Sequence, residues 1–204
     1  MELRIISEDN MPNTVLCYIK NFLSKKEINM IHNIIDVPIS NDKTFIDSGY
    51  RSQKWFQKNG KYFCEKWKTR YPKWMSFNYN KKISSIENII MNRLKKYNLK
   101  QSGISIPTIN SLLINKYNDG NDYIRPHRDT NLTFGKFPTI INISIGDTRE
   151  LLFKKNNSKK IYSYNLESGS CFIMSGSSQE LYTHEITKST SKNIRYSLTL
   201  RKVI

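Results

Sequence analysis

The sequence is poor in the residues that cross-link a chain. It has three cysteines in 204 residues, and Cys17, Cys64 and Cys171 lie far apart without any C-x-x-C spacing. This pattern argues against a disulfide framework and against a cysteine-based zinc site, so we expect reduced cysteines in an intracellular protein.

Long apolar runs are also missing. No stretch approaches the roughly 18 uncharged apolar residues of a membrane span, and no apolar run follows a basic start as in a secretory signal. We therefore expect a soluble protein without a membrane partner. The length suits one domain with a full core, so we expect residues 1–204 to form a single domain and the protein to be a monomer.

Acidic residues are scarce relative to basic ones. The chain has 17 Asp and Glu against 33 Lys and Arg, which gives a formal net charge of +16. Such an imbalance indicates a polyanionic partner, and nucleic acid is the first candidate. The alternative is that part of this charge only solvates the surface.

Histidine is scarce as well, and its three positions are informative. His127 and Asp129 have one residue between them, which puts both side chains on one face of an extended strand. His184 follows an apolar strand and can return to the same sheet, whereas His32 lies off the apolar stripe of an early helix and is expected at the surface. Two histidines and one carboxylate that leave coordination positions open are typical of non-haem Fe(II) oxygenases. A chance His-x-Asp is the alternative.

Two helices and a series of short strands are predicted. Ser24 and Glu27 form a capping box before a stripe of isoleucines (Ile28, Ile31, Ile34, Ile35) that should end at Pro38. Ser84 and Glu87 form a second one, with Ser84 as cap, before a stripe of Ile86, Ile90, Leu94 and Tyr97. After Pro107 we expect strands at 111–117, 139–145, 151–154, 161–165, 170–174 and 194–201. The order predicts an α+β, mostly β fold: a jelly-roll double sheet with the N-terminal helices packed on one side.

Residues 50–79 interleave aromatic and basic side chains and contain all three tryptophans of the chain. Aromatic faces stack on unpaired bases and Lys or Arg binds phosphate, so this mixture is typical of a surface that holds a splayed-out nucleotide. The alternative is one or two β-hairpins whose rings pack on the core.

The last predicted strand has two contrasting faces. Arg195, Ser197, Thr199 and Arg201 alternate with the apolar Tyr196, Leu198 and Leu200. If the polar face looks into a barrel, a buried guanidinium requires a carboxylate partner, and a dicarboxylate cosubstrate provides one. The same alternation puts Asn115 and Tyr117 on one face, where an amide and a phenol could bind such a ligand.

Five separated pieces occur in the order found in one enzyme family. They are Leu113-Ile114-Asn115-Lys116-Tyr117, His127-Arg128-Asp129, Ser144-Ile145-Gly146 with Arg149, Gly169 to Met174 with Gly176 and His184, and Arg195 to Arg201. In this order they resemble the AlkB family of Fe(II)/2-oxoglutarate dioxygenases. The resemblance covers the second half of the chain closely and the first half in outline.

This resemblance implies a double-stranded β-helix core at about 105–204 and a nucleotide-recognition lid at about 45–80. It implies Fe(II) bound by His127, Asp129 and His184, and 2-oxoglutarate bound by Asn115, Tyr117, Arg195, Ser197 and Arg201. With O₂, such an enzyme would remove N-methyl groups from bases such as 1-methyladenine or 3-methylcytosine in DNA or RNA, single-stranded or with a flipped base, and yield succinate and formaldehyde. Candidate substrate contacts, by position and chemistry, are Trp74, Phe77, Tyr79, Arg128 and Arg149.

The sequence departs from the family pattern at two places. Thr130, Asn131 and Leu132 follow Asp129 where base-repairing members commonly carry acidic residues, and Ser197 stands where Asn is frequent. The first departure favours a second hypothesis, the same chemistry on a methylated protein side chain. A third hypothesis is a nucleic-acid-binding homologue without catalysis, which the charge alone supports.

Overall fold

A computed structural model describes residues 1–39, 46–47, 50–58 and 75–204 of the protein, with side chains omitted at 36–39 and 46–47. Most of the predicted lid at 45–80, including Trp74 and Cys64, lies outside the described residues. The strands and sheets that position the site are within them.

The described chain contains four helices: α1 (Lys25–Ile39), α2 (Lys81–Leu94), α3 (Asn131–Phe134) and α4 (Ser178–Leu181). The predicted capping box begins α1, since the Ser24 amide donates to Glu27 Oε2 at 2.8 Å and the Glu27 amide donates to Ser24 Oγ at 3.3 Å. In the part of the chain that is described, no helix combines the length and apolar character needed to cross a bilayer.

The predicted start of α2 was wrong. Asn80, not Ser84, is the N-cap, because its Oδ1 accepts a hydrogen bond from the Ile83 amide at 3.0 Å. Ser84 lies inside the helix, where its own amide donates to the Asn80 carbonyl at 2.9 Å. The predicted stripe is confirmed, since Ile86, Ile90 and Leu94 are buried in the core.

Thirteen strands occur in the described residues. They are β1 (Glu2–Ile6), β2 (Thr14–Ile19), β3 (Ile46–Asp47), β4 (Ser52–Gln57), β5 (Phe77–Asn78), β6 (Ser111–Tyr117), β7 (Ile124–His127), β8 (Ile140–Gly146), β9 (Arg149–Lys155), β10 (Ile161–Leu166), β11 (Cys171–Ser175), β12 (Tyr182–Ile186) and β13 (Arg195–Arg201). All six strands predicted after Pro107 are found, with ends that differ by at most two residues. Of the two short strands that carry the candidate ligand histidines, β7 had been expected only as an extended segment around His127 and Asp129, and β12 had not been predicted as a strand.

The strands form a major and a minor sheet, which confirms the predicted jelly-roll architecture. The major sheet has the order β1-β2-β11-β8-β13-β6-β4-β3, with β5 beside β4, and the minor sheet has the order β10-β9-β12-β7. All of these pairings are antiparallel except the β4–β5 pair. Strands that are distant in sequence are neighbours in both sheets, as the double-stranded β-helix requires.

The two faces of the major sheet bury different residues. Helices α1 and α2 cover one face with an apolar core that includes Ile31, Ile35, Ile86, Leu112 and Leu198. The other face meets the minor sheet, and there the buried residues include aromatic rings such as Phe153 and Phe172 beside polar and charged groups. The candidate metal ligands and cosubstrate residues lie between the two sheets.

Gly176 shows why glycine is needed where β11 turns into α4. Its φ is +62°, and a Cβ there would collide with the carbonyl oxygen of Asn13. The turn that this glycine permits brings Gln179 on α4 to the backbone of Asp129.

Candidate metal centre and cosubstrate pocket

Two neighbouring strands of the minor sheet bring the candidate metal ligands together. His127 at the end of β7 pairs directly with His184 in the middle of β12, and the centroids of their rings are 4.2 Å apart. Asp129 lies in the loop just after β7 and not on the strand itself, contrary to our expectation of an extended His-x-Asp segment. One potential ligand atom from each of the three side chains lies within 4.8 Å of the others, so the group could hold one metal ion.

Hydrogen bonds and packing fix the orientation of each of these side chains. His127 Nδ1 is 2.9 Å from the carbonyl oxygen of Arg125, so Nδ1 carries the proton and Nε2 keeps its lone pair for a metal. The ring of His184 stacks on Phe153, with centroids 5.3 Å apart and planes 10° apart. Asp129 Oδ2 accepts from Arg201 Nη1 at 2.8 Å, and the Asp129 amide donates to Gln179 Oε1 at 2.9 Å.

The electrostatics favour the protonation states that bind a metal. Burial, reinforced by the neighbouring His127, lowers the pKa of His184 to about 3, and burial also lowers the pKa of His127. Burial alone would raise the pKa of Asp129, but the charge and the hydrogen bond of Arg201 outweigh it and hold that pKa below its ordinary value. At neutral pH the site therefore presents two neutral imidazoles and one carboxylate, which can coordinate without first losing a proton.

A buried cation lies on the polar face of β13. Arg195 is 0% exposed, and its Nη2 donates to Ser144 Oγ at 2.9 Å. Within the described residues, its Nε and Nη1 and the hydroxyl of Tyr117 make no hydrogen bond of normal geometry. Arg195 Cζ lies 4.9 Å from the centroid of the Tyr117 ring. A buried guanidinium with spare donors is costly by itself and suits an anionic ligand with oxygen acceptors.

A cavity beside the metal cluster is lined by all of the other predicted cosubstrate residues. Asn115, Tyr117, Ser197 and Arg201 line it together with His127, Asp129 and His184, whereas Arg195 contacts the ring of Tyr117 and does not line it. Ser197 Oγ accepts from Asn142 Nδ2 at 2.7 Å, so the serine already has a polar partner.

Two residues of this site were missed in the sequence. Arg51 lines the cavity, and its Nε donates to Asn115 Oδ1 at 2.9 Å. Gln179 supports Asp129 from α4. Neither has a sequence signal of its own, because Arg51 reaches the site only through the pairing of β4 with β6, and Gln179 only through the turn at Gly176.

Comparison with known proteins identifies the family of this arrangement. The family model of the 2OG-Fe(II) oxygenase superfamily matches residues 15–201. The chain belongs to this superfamily. Its relatives include a DNA oxidative demethylase ALKBH2 from Arabidopsis thaliana, which is 27% identical over 119 residues, and an alpha-ketoglutarate-dependent dioxygenase alkB homolog 3 from Mus musculus, which is 33% identical over 106 residues.

These relatives share only part of their length with this AlkB-like oxygenase. Each match covers 47% of this chain, but only 38% of the plant protein and 37% of the mouse protein. The solved structure of OsALKBH1 matches with a TM-score of 0.64 over 92% of this chain and 97% of that chain, at 18% identity. This structural likeness concerns the fold.

The residues present suit the Fe(II) and 2-oxoglutarate that the superfamily uses. Two imidazoles and one carboxylate within 4.8 Å form the donor set of a non-haem Fe(II) site with open positions. The spare donors of buried Arg195 and the hydroxyl of Tyr117 suit a carboxylate end of a dicarboxylic keto acid.

The structure does not bring the described lid candidates to this AlkB-like site. Phe77 lies on β5 beside Phe56, with ring centroids 6.0 Å apart, and Tyr79 packs against the helix-side core. Neither residue lines the cavity. Base contact by these two rings therefore stays a prediction. Trp74 lies outside the described residues.

The two arginines proposed as substrate contacts donate to backbone carbonyls. Arg128 Nη1 donates to the carbonyl of Glu180 at 3.1 Å, and Arg128 lines a groove on the outer face of the minor sheet. Arg149 is 2% exposed and donates to the carbonyls of Asp119 and Asp122 at 3.1 and 2.6 Å. Arg149 therefore stabilises a loop and does not line the cavity. His32, expected at the surface, is half-buried with its ring edge-on to Tyr196.

Proposed function

We propose that the protein is an Fe(II)/2-oxoglutarate-dependent oxidative dealkylase that acts on N-alkylated nucleobases in DNA or RNA. The observation that carries the proposal is the convergence of His127, Asp129 and His184 within 4.8 Å on the wall of a cavity that is also lined by Tyr117, whose ring contacts the buried Arg195. A metal and an anionic cosubstrate can then meet in one space.

In this proposal the three clustered side chains hold Fe(II). His127 binds through Nε2, because Nδ1 donates to the Arg125 carbonyl, and Asp129 binds while Arg201 retains one of its oxygens. Gln179 and Phe153 are positioning residues that fix Asp129 and His184. When bound, Fe(II) with 2-oxoglutarate and O₂ supplies the oxidation of a C–H bond, with succinate and CO₂ as products. An N-methyl group that is hydroxylated in this way leaves as formaldehyde.

The cosubstrate pocket uses the inner faces of β6 and β13. Arg195 and the Tyr117 hydroxyl would bind the distal carboxylate of 2-oxoglutarate, where their unsatisfied hydrogen-bonding groups point to an oxygen-rich ligand. Asn115, Ser197 and Arg201 line the cavity between that end and the metal ligands. This chain of donors would orient the keto acid toward the metal cluster, so the protein contributes geometry more than acid–base chemistry.

A nucleic-acid substrate is supported by two further observations. The formal net charge of +16 suits a polyanion, and the guanidinium of Arg51 lines the cavity that a base would enter. One relative is named a DNA oxidative demethylase. We propose a monomeric enzyme that takes a single-stranded or flipped-out base, because the target atom of a paired base is inaccessible in a duplex.

The same chemistry on a methylated protein side chain is the second candidate. It is favoured by the uncharged segment after Asp129, where Thr130 caps α3 and Asn131 and Leu132 are exposed. A binding module without catalysis is disfavoured by the complete donor set.

A product screen tests the proposal. The protein is incubated with Fe(II), 2-oxoglutarate and single- or double-stranded DNA or RNA that carries N-methylated bases, and the oligonucleotides are analysed by mass spectrometry. We expect loss of one methyl group with stoichiometric formaldehyde and succinate, abolished in His127→Ala and retained in His32→Gln, which replaces a histidine outside the site. Turnover of a methylated peptide without turnover of any oligonucleotide would favour the second candidate.

A further inference from the structure

Four residues form a cationic and aromatic surface outside the metal centre, here called the rim cluster: Tyr50, Tyr123, Arg125 and Lys188. The two tyrosine rings are 4.9 Å apart between centroids, with planes at 66°. Arg125 Cζ lies 4.6 Å from the Tyr50 centroid, and Lys188 Nζ lies 4.9 Å from the Tyr123 centroid. Both cations are exposed and both rings are half-buried.

The rim cluster adjoins the mouth of the cavity. Tyr50 directly precedes Arg51 and Tyr123 directly precedes Ile124, and both of these following residues line the cavity. The Tyr123 amide donates to the Tyr50 carbonyl at 2.9 Å, which holds the two segments side by side. The carbonyl of Arg125 accepts the hydrogen bond of His127, so this cation lies two residues from a candidate metal ligand.

Arg149 gives the rim cluster a fixed backbone. This buried guanidinium donates to the carbonyls of Asp119 and Asp122 in the loop before Tyr123, and to that of Thr187, directly before Lys188, at 2.5 Å. One buried side chain thus ties together the two segments that carry Tyr123 and Lys188. A surface fixed in this way loses little conformational freedom on binding, which favours affinity.

The nearby carboxylates are engaged within their own loop. Asp122 Oδ2 accepts from the Asn118 amide at 2.7 Å, and Asp119 Oδ1 accepts from the Asn121 amide at 2.7 Å. Neither Arg125 nor Lys188 has an ion pair with any carboxylate of the described residues. Two exposed cations that are not neutralised, set beside two phenol rings, match the phosphate and the base of one unpaired nucleotide.

We propose that the rim cluster is a binding subsite for the nucleotide next to the one that enters the cavity. Tyr123 stacks on its unpaired base, Tyr50 contacts that base through its ring edge, and Arg125 and Lys188 bind its phosphate. The subsite rests on the proposed function for its purpose, but it makes a separate claim about single-stranded nucleic acid. Because the subsite does not contact the methyl group, it binds an unmethylated strand as well.

Equilibrium binding of an unmethylated, fluorescein-labelled single strand of 12 nucleotides, followed by anisotropy at several salt concentrations with Mn(II) and 2-oxoglutarate present, tests the subsite. We expect Arg125→Gln to weaken binding about 5- to 10-fold and to reduce the slope of log affinity against log salt by about 1. Tyr123→Leu should weaken binding about as much without changing the slope, and Tyr123→Phe, which keeps the ring, should bind nearly as the parent does.

Arg4→Gln is the matched control. Arg4 is an exposed arginine whose Cζ lies 4.7 Å from the centroid of Tyr162, and it lies on β1, at the opposite edge of the major sheet from β4. We expect less than about a 2-fold change. Equal effects of Arg125→Gln and Arg4→Gln, an unchanged affinity in Tyr123→Leu, or tighter binding to the duplex of the same sequence would overturn the proposal. Binding as expected without turnover of any methylated strand would refute the proposed function and leave the subsite standing.

Discussion

The two faces of β13 are both buried, yet they differ in chemistry. Tyr196, Leu198 and Leu200 point into the helix-covered core among isoleucines and leucines. Arg195, Ser197, Thr199 and Arg201 point into the space between the sheets and are at most 8% exposed. One strand therefore places an apolar row and a polar row of similar burial on opposite sides of the same backbone.

This difference separates stability from function within one strand. Burial of the apolar row stabilises the fold without needing any partner, whereas the polar row loses hydration that the protein alone does not fully replace. Arg201 has Asp129 as an ionic partner, but two nitrogens of Arg195 make no normal hydrogen bond to a described residue. A buried polar row with unsatisfied donors indicates a binding site. Substitutions on the apolar face should therefore lower stability, and substitutions on the polar face should lower ligand affinity.

The largest effect is expected on the apolar face. Leu198→Ala removes a side chain that is 0% exposed from the helix-side core, and it should lower the free energy of unfolding by about 4 kcal/mol. Urea denaturation followed by circular dichroism measures this loss. Ser197→Ala, one residue away on the polar face, should cost less than about 1 kcal/mol, and an equal loss in both variants would erase the distinction between the faces.

Arg195→Met, on the polar face, should weaken cosubstrate binding without lowering stability. The methionine fills a similar volume without a buried charge, so the free energy of unfolding without ligand should stay equal or rise. The affinity for 2-oxoglutarate should fall about 100-fold, or about 2.7 kcal/mol, because the charge-assisted hydrogen bonds to a carboxylate are lost. Calorimetric titration of 2-oxoglutarate into the Mn(II)-loaded protein measures this affinity. Unchanged affinity would exclude Arg195 as the carboxylate anchor.

A smaller effect is expected where α1 contacts α2. Glu27 caps α1 and also accepts from Arg93 Nε of α2 at 2.7 and 2.9 Å. The hydrogen bonds from Arg93 lower the pKa of Glu27 to about 2 from 4.5. Because the folded-state pKa is depressed, the stabilisation is present above pH 4.5 and is lost as the pH falls toward 2.

Glu27→Gln should therefore cost about 1 kcal/mol near pH 7, since the pair is partly exposed, and almost nothing near pH 2. Thermal unfolding over this pH range measures the difference, with 2-oxoglutarate affinity as the control. A cost that does not depend on pH would mean that the carboxylate charge is not what joins α1 to α2.

Much of this architecture was predictable from local patterns. The alternation in 195–201 and 111–117 gave the correct strands and the correct division of their faces, because both strands are buried on two sides and each side has its own chemistry. The capping box at Ser24 and the stripe in α2 were equally local signals.

What could not be predicted depends on contacts between distant segments. β7 contains a proline and only four residues, and β12 has only five residues with the polar His184 at its buried centre, so neither has a typical strand signal. The direction of Phe77 and Tyr79 follows from the pairing of β5 with β4, and the role of Arg149 follows from the loop that folds over it. Sequence spacing alone contains neither fact.

The most direct test of the account is the stoichiometry and affinity of metal binding, with Mn(II) as the calorimetric probe. We expect one Mn(II) per chain, with binding at least about 100-fold weaker in His184→Ala and unchanged in His32→Gln, because only the former removes a clustered ligand. Parent-like Mn(II) affinity in His184→Ala would contradict the claim that β7 and β12 together form the metal centre.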